Sequence, residues 1–293
     1  MRLFSFFCFI FLYPSFSSAQ VSGADYKLYD THLKKETTVP EIADKMGESN
    51  VLVFGEQHDD SIGHLMEQKM LEALYAKYNT DVILAMEMFH RDVQYILDEY
   101  LGGQISEKNF IKEARAWDTY KTDYRATVEF AKEKGLKVIA ANTPPRYANM
   151  VTRNGLESLN KLSKTVKKNY LPPLPVDTMK GEYYERFLEA MGGHSMPGMS
   201  LYQSQNLWDA TMSWSIAQVL KKNKGSIVFM MNGRFHSDNH LGFVKRLMDN
   251  YNKKVTTISC FGTEDFEHPD WTKYQQLADY IVLTRLKAKD AGQ

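Results

Sequence analysis

Short apolar runs alternate with amphipathic segments along most of this chain. Most of the runs lack a polar residue at every second position, which is typical of strands buried on both faces of a sheet. They lie at 50–54, 82–86, 136–141, 226–231, 254–259 and 280–283. Helical spacing marks the segments at 61–78, 91–101, 106–114, 123–134 and 239–250. The alternation predicts an α/β fold: a parallel-dominated sheet with helices on both faces.

The alternation stops between about 153 and 224, where helical patterns follow one another without a strand. This stretch predicts a helical insertion, or lid, over one edge of the sheet. Within it, the proline-rich stretch at 172–175 indicates a turn or hinge. We predict one domain over 20–293 that carries this helical subdomain.

The first 19 residues resemble a signal peptide. Arg2 supplies a positive charge, 3–13 are apolar, and three small residues end at Ala19. Because the apolar run is too short to span a membrane as a helix, we expect cleavage near Ala19. The mature protein is then expected in the periplasm or associated with the outer membrane. After cleavage Cys260 is the remaining cysteine, and its strand context predicts a buried thiol.

Charge and composition narrow the choice of partners. The formal net charge of +0 gives no indication of nucleic-acid binding. The chain contains 15 Met, 17 Tyr, 16 Phe and 4 Trp. Such residues fill cores, and composition alone favours that reading over a pocket for a flat apolar ligand.

Ionisable and amide side chains follow four of the predicted strands. They are Glu56 with His58, Glu87, Asn142, and Asn232 with His236. Two Gly-x-x-His tetrads, at 55–58 and 233–236, account for the histidines. Because the carboxyl ends of parallel strands share one edge, we expect these side chains to converge there.

Two histidines and two carboxylates suit a divalent metal ion. His58, His236, Glu56 and Glu87 would be its ligands, since imidazole suits zinc, copper, nickel or iron. A glutamate outside the metal shell would act as general base on a bound water. The structural alternatives are a solvated loop carboxylate for Glu87 and a helix cap for Asn142.

The predicted lid contains its own polar residues. Gln205 and Asp209 share a helical stripe with apolar residues. Because burying an unpaired carboxylate is unfavourable, this stripe predicts a polar cavity. His194 lies in a glycine-rich loop that is either part of a site or a surface connection. His64 and His90 are expected on the surface or on a helix face.

Five segments occur in an order that resembles one known family. They are Gly55-Glu56-x-His58-Asp59, 85–89, 141–146, Gln205-x-x-x-Asp209-x-x-Met212 and Gly233-Arg234-Phe235-His236. Together they resemble the ChaN-like haem-binding uptake proteins of the Tiki/TraB/erythromycin esterase-like superfamily. The resemblance covers about 26 to 283. It implies an α/β fold with a helical insertion, export, and haem binding linked to iron acquisition.

The resemblance also implies partners and leaves the chemistry open. In that family a tyrosine holds haem at a dimer interface, so a homodimer on haem binding is expected. An outer-membrane haem or iron receptor system is an expected partner. Some relatives are lipoproteins, whereas this chain lacks a lipobox, so membrane tethering is open. Other superfamily members use the paired tetrads and glutamates for hydrolysis.

Haem would need an axial ligand and partners for its propionates. Phenolate and imidazole are both suitable ligands, and arginine pairs with carboxylates. The candidate haem-binding residues are Tyr124, Tyr147, Tyr202, His194, Arg146, Arg234, Gln205, Asp209 and Asn142.

Three functions follow from these patterns. The first is an exported haem-binding protein of haem or iron uptake. The alternative is a metal-dependent hydrolase, of esterase or peptidase type, with Glu56 and Glu87 as catalytic residues. The third is a non-catalytic interaction module, which leaves the ionisable strand ends unexplained.

Overall fold

The computed structural model of the protein describes residues 24–193 and 199–286. The predicted signal peptide and His194 lie outside the described residues. Within them, no helix combines the length and apolar character needed to cross a membrane.

One sheet of eight strands organises the described part of the chain. The strands are β1 (Tyr26–Asp30), β2 (Lys35–Glu36), β3 (Val51–Glu56), β4 (Val82–His90), β5 (Lys137–Asn142), β6 (Ile227–Gly233), β7 (Val255–Thr263) and β8 (Tyr280–Arg285). Their order across the sheet is β2-β1-β8-β7-β3-β6-β4-β5. Neighbours from β8 to β5 are parallel, whereas β1 is antiparallel to both β2 and β8. The predicted α/β class and its parallel-dominated sheet are confirmed.

Helices cover both faces of this sheet. They are α1 (Val39–Lys45), α2 (Ser61–Tyr78), α3 (Gln94–Leu101), α4 (Glu107–Glu113), α5 (Arg125–Glu133), α6 (Pro145–Asn154), α7 (Lys164–Tyr170), α8 (Glu182–Ala190), α9 (Leu201–Lys222) and α10 (Gly242–Tyr251). Residues of α2, α3 and α5 form one core cluster with side chains such as Leu52 and Phe54. Residues of α9 and α10 form another with Val51 and Val53, the alternate positions of β3.

Two features of the sheet differ from the predictions. β1 and β2 were not predicted, because β1 is buried at only two of its five positions and both residues of β2 are exposed, so neither forms an apolar run. β4 continues through Glu87 to His90 instead of ending at Met86. Its pairing with β5 shifts register between Met86 and His90, which is how the longer strand departs from the ladder.

The helices α6 to α9 lie between β5 and β6; α7, α8 and α9 fall within the 153–224 stretch predicted as a helical insertion, and most of α6 precedes it. The longest of them, α9, also packs against a face of the sheet. Met212, Ile216 and Val219 of α9 belong to the core cluster on the sheet face. The amino-terminal half of α9 therefore borders the site, while the carboxyl-terminal half packs on the sheet.

Candidate functional site

The carboxyl ends of β3, β6 and β4 meet because these three parallel strands are neighbours. Glu56 ends β3, Gly233 ends β6, and Glu87 lies in the last part of β4. The backbone N–H of Gly233 donates to Oε2 of Glu87 at 2.8 Å. The ring of His58 packs against Gly233, where a Cβ atom would lie 2.6 Å from Nε2. Only glycine leaves room for the imidazole in this position.

Glu56 is the centre of a buried hydrogen-bonded group. Its Oε1 accepts hydrogen bonds from Nδ1 of His58 and from the hydroxyl of Tyr124, each at 2.6 Å. The Glu56 side chain is fully buried, whereas that of His58 is 49% exposed. The ring of His58 also lies edge-on to Trp117, with ring centres 5.2 Å apart. An imidazole that reaches solvent is thus joined directly to a buried carboxylate.

Two further members of this group come from α2. Nδ1 of His64 lies 3.1 Å from Oε2 of Glu67 and 3.4 Å from Oε2 of Glu56. Nε2 of His64 donates to the backbone carbonyl oxygen of His58 at 3.1 Å. Of the two positions expected for His64, the structure shows the helix face: the residue lies in α2 on the side that points into the protein, and it is buried.

The ionisation of this group follows from burial and from its hydrogen bonds. Burial raises the pKa of Glu56, but the hydrogen bond from His58 and the nearby His64 outweigh it and hold the pKa well below its usual range. Burial, and then the charge of Glu56, raise the pKa of Glu67 well above its usual range. Burial lowers the pKa of His64, but its two glutamate partners raise it to about 11. The hydrogen bond to Glu56 raises the pKa of His58.

A second buried group surrounds His236. Its Nδ1 donates to Oδ1 of Asp209 at 2.7 Å, and its Nε2 lies 3.4 Å from Oε1 of Glu87. The hydroxyl of Tyr183 donates to Oδ2 of Asp209 at 2.6 Å and accepts from the amide of Gln205 at 3.0 Å. Burial lowers the pKa of His236, but the charges of Glu87 and Asp209 raise it to about 9. At neutral pH a protonated imidazole therefore lies between two carboxylates.

Glu87 connects the two groups. Its charge is one of the causes that raise the pKa of His58, and its Oε1 lies 3.4 Å from Nε2 of His236. Across the described ranges, however, three metal-ligand atoms lie within 4.8 Å of one another in a different set, built on Glu56 and α2. The four-residue metal site therefore stays a prediction.

The other polar candidates have local partners. The side chain of Asn142 accepts a hydrogen bond from the backbone N–H of the next residue at 2.7 Å. Arg146 forms an ion pair with Asp92. Arg234 forms one with Asp238 at 2.8 Å. Both guanidinium groups therefore already have a carboxylate partner.

The three candidate tyrosines lie in different surroundings. Tyr124 donates to Glu56, and burial raises its pKa. Tyr147 is buried in an apolar cluster of α6 and α9. The hydroxyl of Tyr202 donates to the backbone carbonyl of Met179, and its ring lines a cavity.

This cavity lies between α8 and the start of α9. Its volume is about 290 Å³, and aromatic and methionine side chains supply much of its wall. They include Tyr184, Phe187, Leu188, Met191, Met199 and Tyr202. Tyr184 and Met199 are 38% and 46% exposed, so the cavity opens to solvent. The hydroxyl of Tyr184 has no hydrogen-bond partner in the part of the chain that the structure describes.

Comparison with known families agrees with this architecture. The sequence model of the haem-binding uptake family ChaN, in the Tiki superfamily, matches residues 42–247. The chain belongs to the ChaN family. The resemblance inferred from the five segments is thereby confirmed.

Solved structures share the fold of this ChaN-family chain. One, described as cofacial haem binding to ChaN of Campylobacter jejuni, has a TM-score of 0.66 at 16% identity, covering 90% of this chain and 98% of that one. A Bacillus cereus protein has a TM-score of 0.52 at 10% identity, covering 85% and 92%. At such identities the likeness shows the fold alone.

A curated relative is much longer than this ChaN-family chain. The chloroplastic protein RETICULATA-RELATED 5 of Arabidopsis thaliana is 22% identical over 210 residues. The match covers 66% of this chain and 28% of that protein.

Sequence reasoning missed three residues of the two buried groups in this ChaN-family chain. His64 and Glu67 lie three residues apart on α2, so both point toward Glu56. Their spacing on the amphipathic helix was a usable signal, since both occupy its inward side. Tyr183 lies in the lid, and no sequence pattern indicated its bond to Asp209.

Proposed function

We propose that this protein binds haem and takes part in haem or iron uptake outside the cytoplasm. The observation that carries the proposal is the open aromatic cavity between α8 and α9, in a chain of a haem-binding family. Apolar and aromatic walls suit a flat macrocycle, because they remove its faces from water.

The side chains of the cavity fit an iron porphyrin. Phe187 and Leu188 provide apolar wall, while Met191 and Met199 carry thioethers. Tyr184 offers a phenol that is partly exposed and free of competing hydrogen bonds within the described residues. Haem iron accepts phenolate, imidazole or thioether as an axial ligand. We infer that Tyr184 is the ligand supplied by this chain.

Titration of the purified protein with ferric haem tests the proposal. We expect a shift of the haem Soret band that saturates at a fixed ratio of haem to chain. An unchanged haem spectrum at micromolar concentrations of both would reject haem binding.

Dimer formation on haem binding is part of the proposal. The cavity is open, so a bound haem would leave apolar surface exposed that a second copy would cover. The Campylobacter jejuni structure is described as cofacial haem binding, which supports two haems facing each other. Sedimentation with and without haem tests this, and a monomer at saturating haem would contradict it.

Export is proposed from the pattern of the first 19 residues. We expect the mature protein to begin near Gln20 and to fractionate with the periplasm or outer membrane. An outer-membrane haem or iron receptor system is the proposed partner. Amino-terminal sequencing after cell fractionation tests the cleavage, and an intact leader on cytoplasmic protein would contradict it.

A metal-dependent hydrolase of esterase or peptidase type is the second candidate. The observation that favours it is His236, which Asp209 orients through Nδ1 while Nε2 faces Glu87. A carboxylate that orients an imidazole is a common arrangement for proton transfer. A panel of ester and peptide substrates, with and without metal, tests it. Turnover lost in Glu87→Gln is expected, and no turnover on any substrate would reject it.

A further inference from the structure

We propose that Glu56, His64 and Glu67 bind a divalent transition-metal ion in a buried site separate from the haem cavity. One carboxylate oxygen from each glutamate and one imidazole nitrogen all lie within 4.8 Å of one another. All three residues are buried, and the most exposed is His64 at 5%. The cavity between α8 and α9 includes none of them, so this site goes beyond haem binding.

Two carboxylate oxygens of the cluster lack a hydrogen-bond partner among the described residues. They are Oε2 of Glu56 and Oε1 of Glu67, whose residues are 1% and 0% exposed. Nδ1 of His64 bonds at 3.1 Å to Oε2 of Glu67, the other oxygen of that carboxylate, and lies 3.4 Å from Oε2 of Glu56. Its single N–H therefore leaves both of the named oxygens unsatisfied. A buried carboxylate oxygen without a partner is unfavourable, and a cation would compensate for it.

The outer partners of these residues are arranged as around a bound metal. Nε2 of His64 donates to the carbonyl oxygen of His58, so Nδ1 faces both glutamates, and a bound ion would replace the proton that Nδ1 carries without it. Metal-binding histidines commonly donate their other N–H in this way. Glu56 is oriented likewise, because His58 and Tyr124 both donate to Oε1 and leave Oε2 for the cluster.

Rigid elements hold the three ligands. Glu56 is the last residue of β3, and the other two lie in the first two turns of α2. Asp60 caps α2 by accepting from the N–H groups of Ile62 and Gly63 at 3.0 and 3.1 Å. The short connection from strand to helix therefore fixes the distance between the carboxylate and the imidazole.

The donor set selects the class of ion. Two carboxylates and one imidazole suit first-row divalent ions, and thiolate is not among the ligands. Three protein ligands leave further positions for water. A different explanation of the close carboxylates is a proton shared between Glu56 and Glu67, and an experiment can distinguish the two.

Calorimetric titration of haem-free protein with Zn²⁺, after dialysis against a chelator, is the first test. We expect one tight Zn²⁺ per chain. Glu67→Gln keeps the size of the side chain and should lower the affinity for Zn²⁺ about 100-fold. Loss of a residue that only supports a ligand lowers affinity by up to about that much, and Glu67 is itself a proposed ligand. The matched control is Glu72→Gln on the same helix, whose partner is Gln68, and it should bind as the wild type does.

Several outcomes would overturn the proposal. No Zn²⁺ binding by the wild type would leave the shared proton as the explanation. Binding kept in Glu67→Gln but lost in Glu87→Gln would assign the ion to the edge of the sheet. Loss in His32→Gln alone would assign it to the surface group of His32, His240 and Asp279.

X-ray absorption at the zinc edge reports the ligands of the bound ion directly, so this second test needs no variant. For the wild-type complex we expect one imidazole in a shell of oxygen ligands. Two or more imidazoles would contradict a site built on His64 alone. A normal haem titration combined with failed zinc binding would reject this inference and leave haem binding intact.

Discussion

Tyr184 differs from the other tyrosines near the lid in having an accessible phenol. It lines the cavity and is 38% exposed, whereas the hydroxyl of Tyr202 is bonded to a backbone carbonyl. We predict that Tyr184→Phe weakens haem binding by on the order of tenfold, or about 1.4 kcal/mol, and alters the visible spectrum. Absorption titration measures both. The control is Tyr95→Phe, which changes a 63% exposed tyrosine of α3, and equal behaviour of the two variants would exclude Tyr184 as the ligand.

Gly233 is the residue at which the two tetrads meet. A methyl group there would lie 2.6 Å from Nε2 of His58, so the partly exposed ring would have to move outward. We predict that Gly233→Ala lowers the pKa of His58, because the ring leaves Glu56, and lowers the free energy of unfolding by about 1–3 kcal/mol. NMR titration of the histidines and urea unfolding measure these effects.

A matched control for that variant is Gly47→Ala. Among the residues that the structure describes, no neighbouring atom lies within 4 Å of the Cβ that it adds. It should leave the pKa of His58 unchanged. A wild-type pKa in Gly233→Ala would show that the ring does not depend on this glycine.

The β3–α2 connection is the element on which the Glu56 group depends. Asp60 caps α2 and also accepts a hydrogen bond from the hydroxyl of Thr284 in β8 at 2.5 Å. We predict that Asp60→Ala lowers the free energy of unfolding by more than the ~1 kcal/mol typical of a lost cap. Ser106→Ala, which removes the exposed cap of α4, should show only that typical loss in urea unfolding. Equal losses would contradict the additional role of Asp60.

The folded protein as a whole should respond to pH through His236. Its pKa is raised to about 9 in the folded state, against about 6.5 for an unperturbed histidine. The stabilisation is therefore complete below about pH 6.5 and is lost as the pH rises through 9. The wild type should therefore lose unfolding free energy between about pH 6.5 and 9. We predict that His236→Asn loses less over this range, by roughly 3 kcal/mol at most. Urea unfolding at several pH values measures it.

The exposed His268→Asn is the control for this experiment. Its stability should follow that of the wild type across the whole pH range. If the unfolding free energy of His236→Asn instead changes with pH as that of the wild type does, the imidazole of His236 does not have the raised pKa that its two carboxylate neighbours imply.

Much of the fold was predictable because burial leaves a local pattern. Strands such as β3 and β6 are buried at every position, so each appears as an apolar run. The longer β4 was predicted too short, because Glu87 is polar and yet buried inside the strand. Polarity alone does not distinguish a charged residue that is buried with hydrogen-bond partners inside a strand from a polar residue just past the end of a strand.

The candidate site was predictable in part. Both tetrads follow strands, and parallel neighbours bring such positions to one edge whatever their separation in sequence. The partners of Glu56 were not predictable, since Tyr124 lies 68 residues away and reaches it through packing of the segment before α5. The same holds for Tyr183, 26 residues from Asp209.

The amino-acid sequence by itself therefore determined the fold class, the family and the edge of the sheet at which polar side chains lie. Those properties depend on periodicity and on motifs that each segment carries alone. Only the tertiary structure determined which carboxylates accept hydrogen bonds from His58 and His236. It also determined that His64 and Glu67 are buried beside Glu56. Hydrogen bonds and desolvation depend on atoms brought together from distant segments, and local sequence contains no record of those distances.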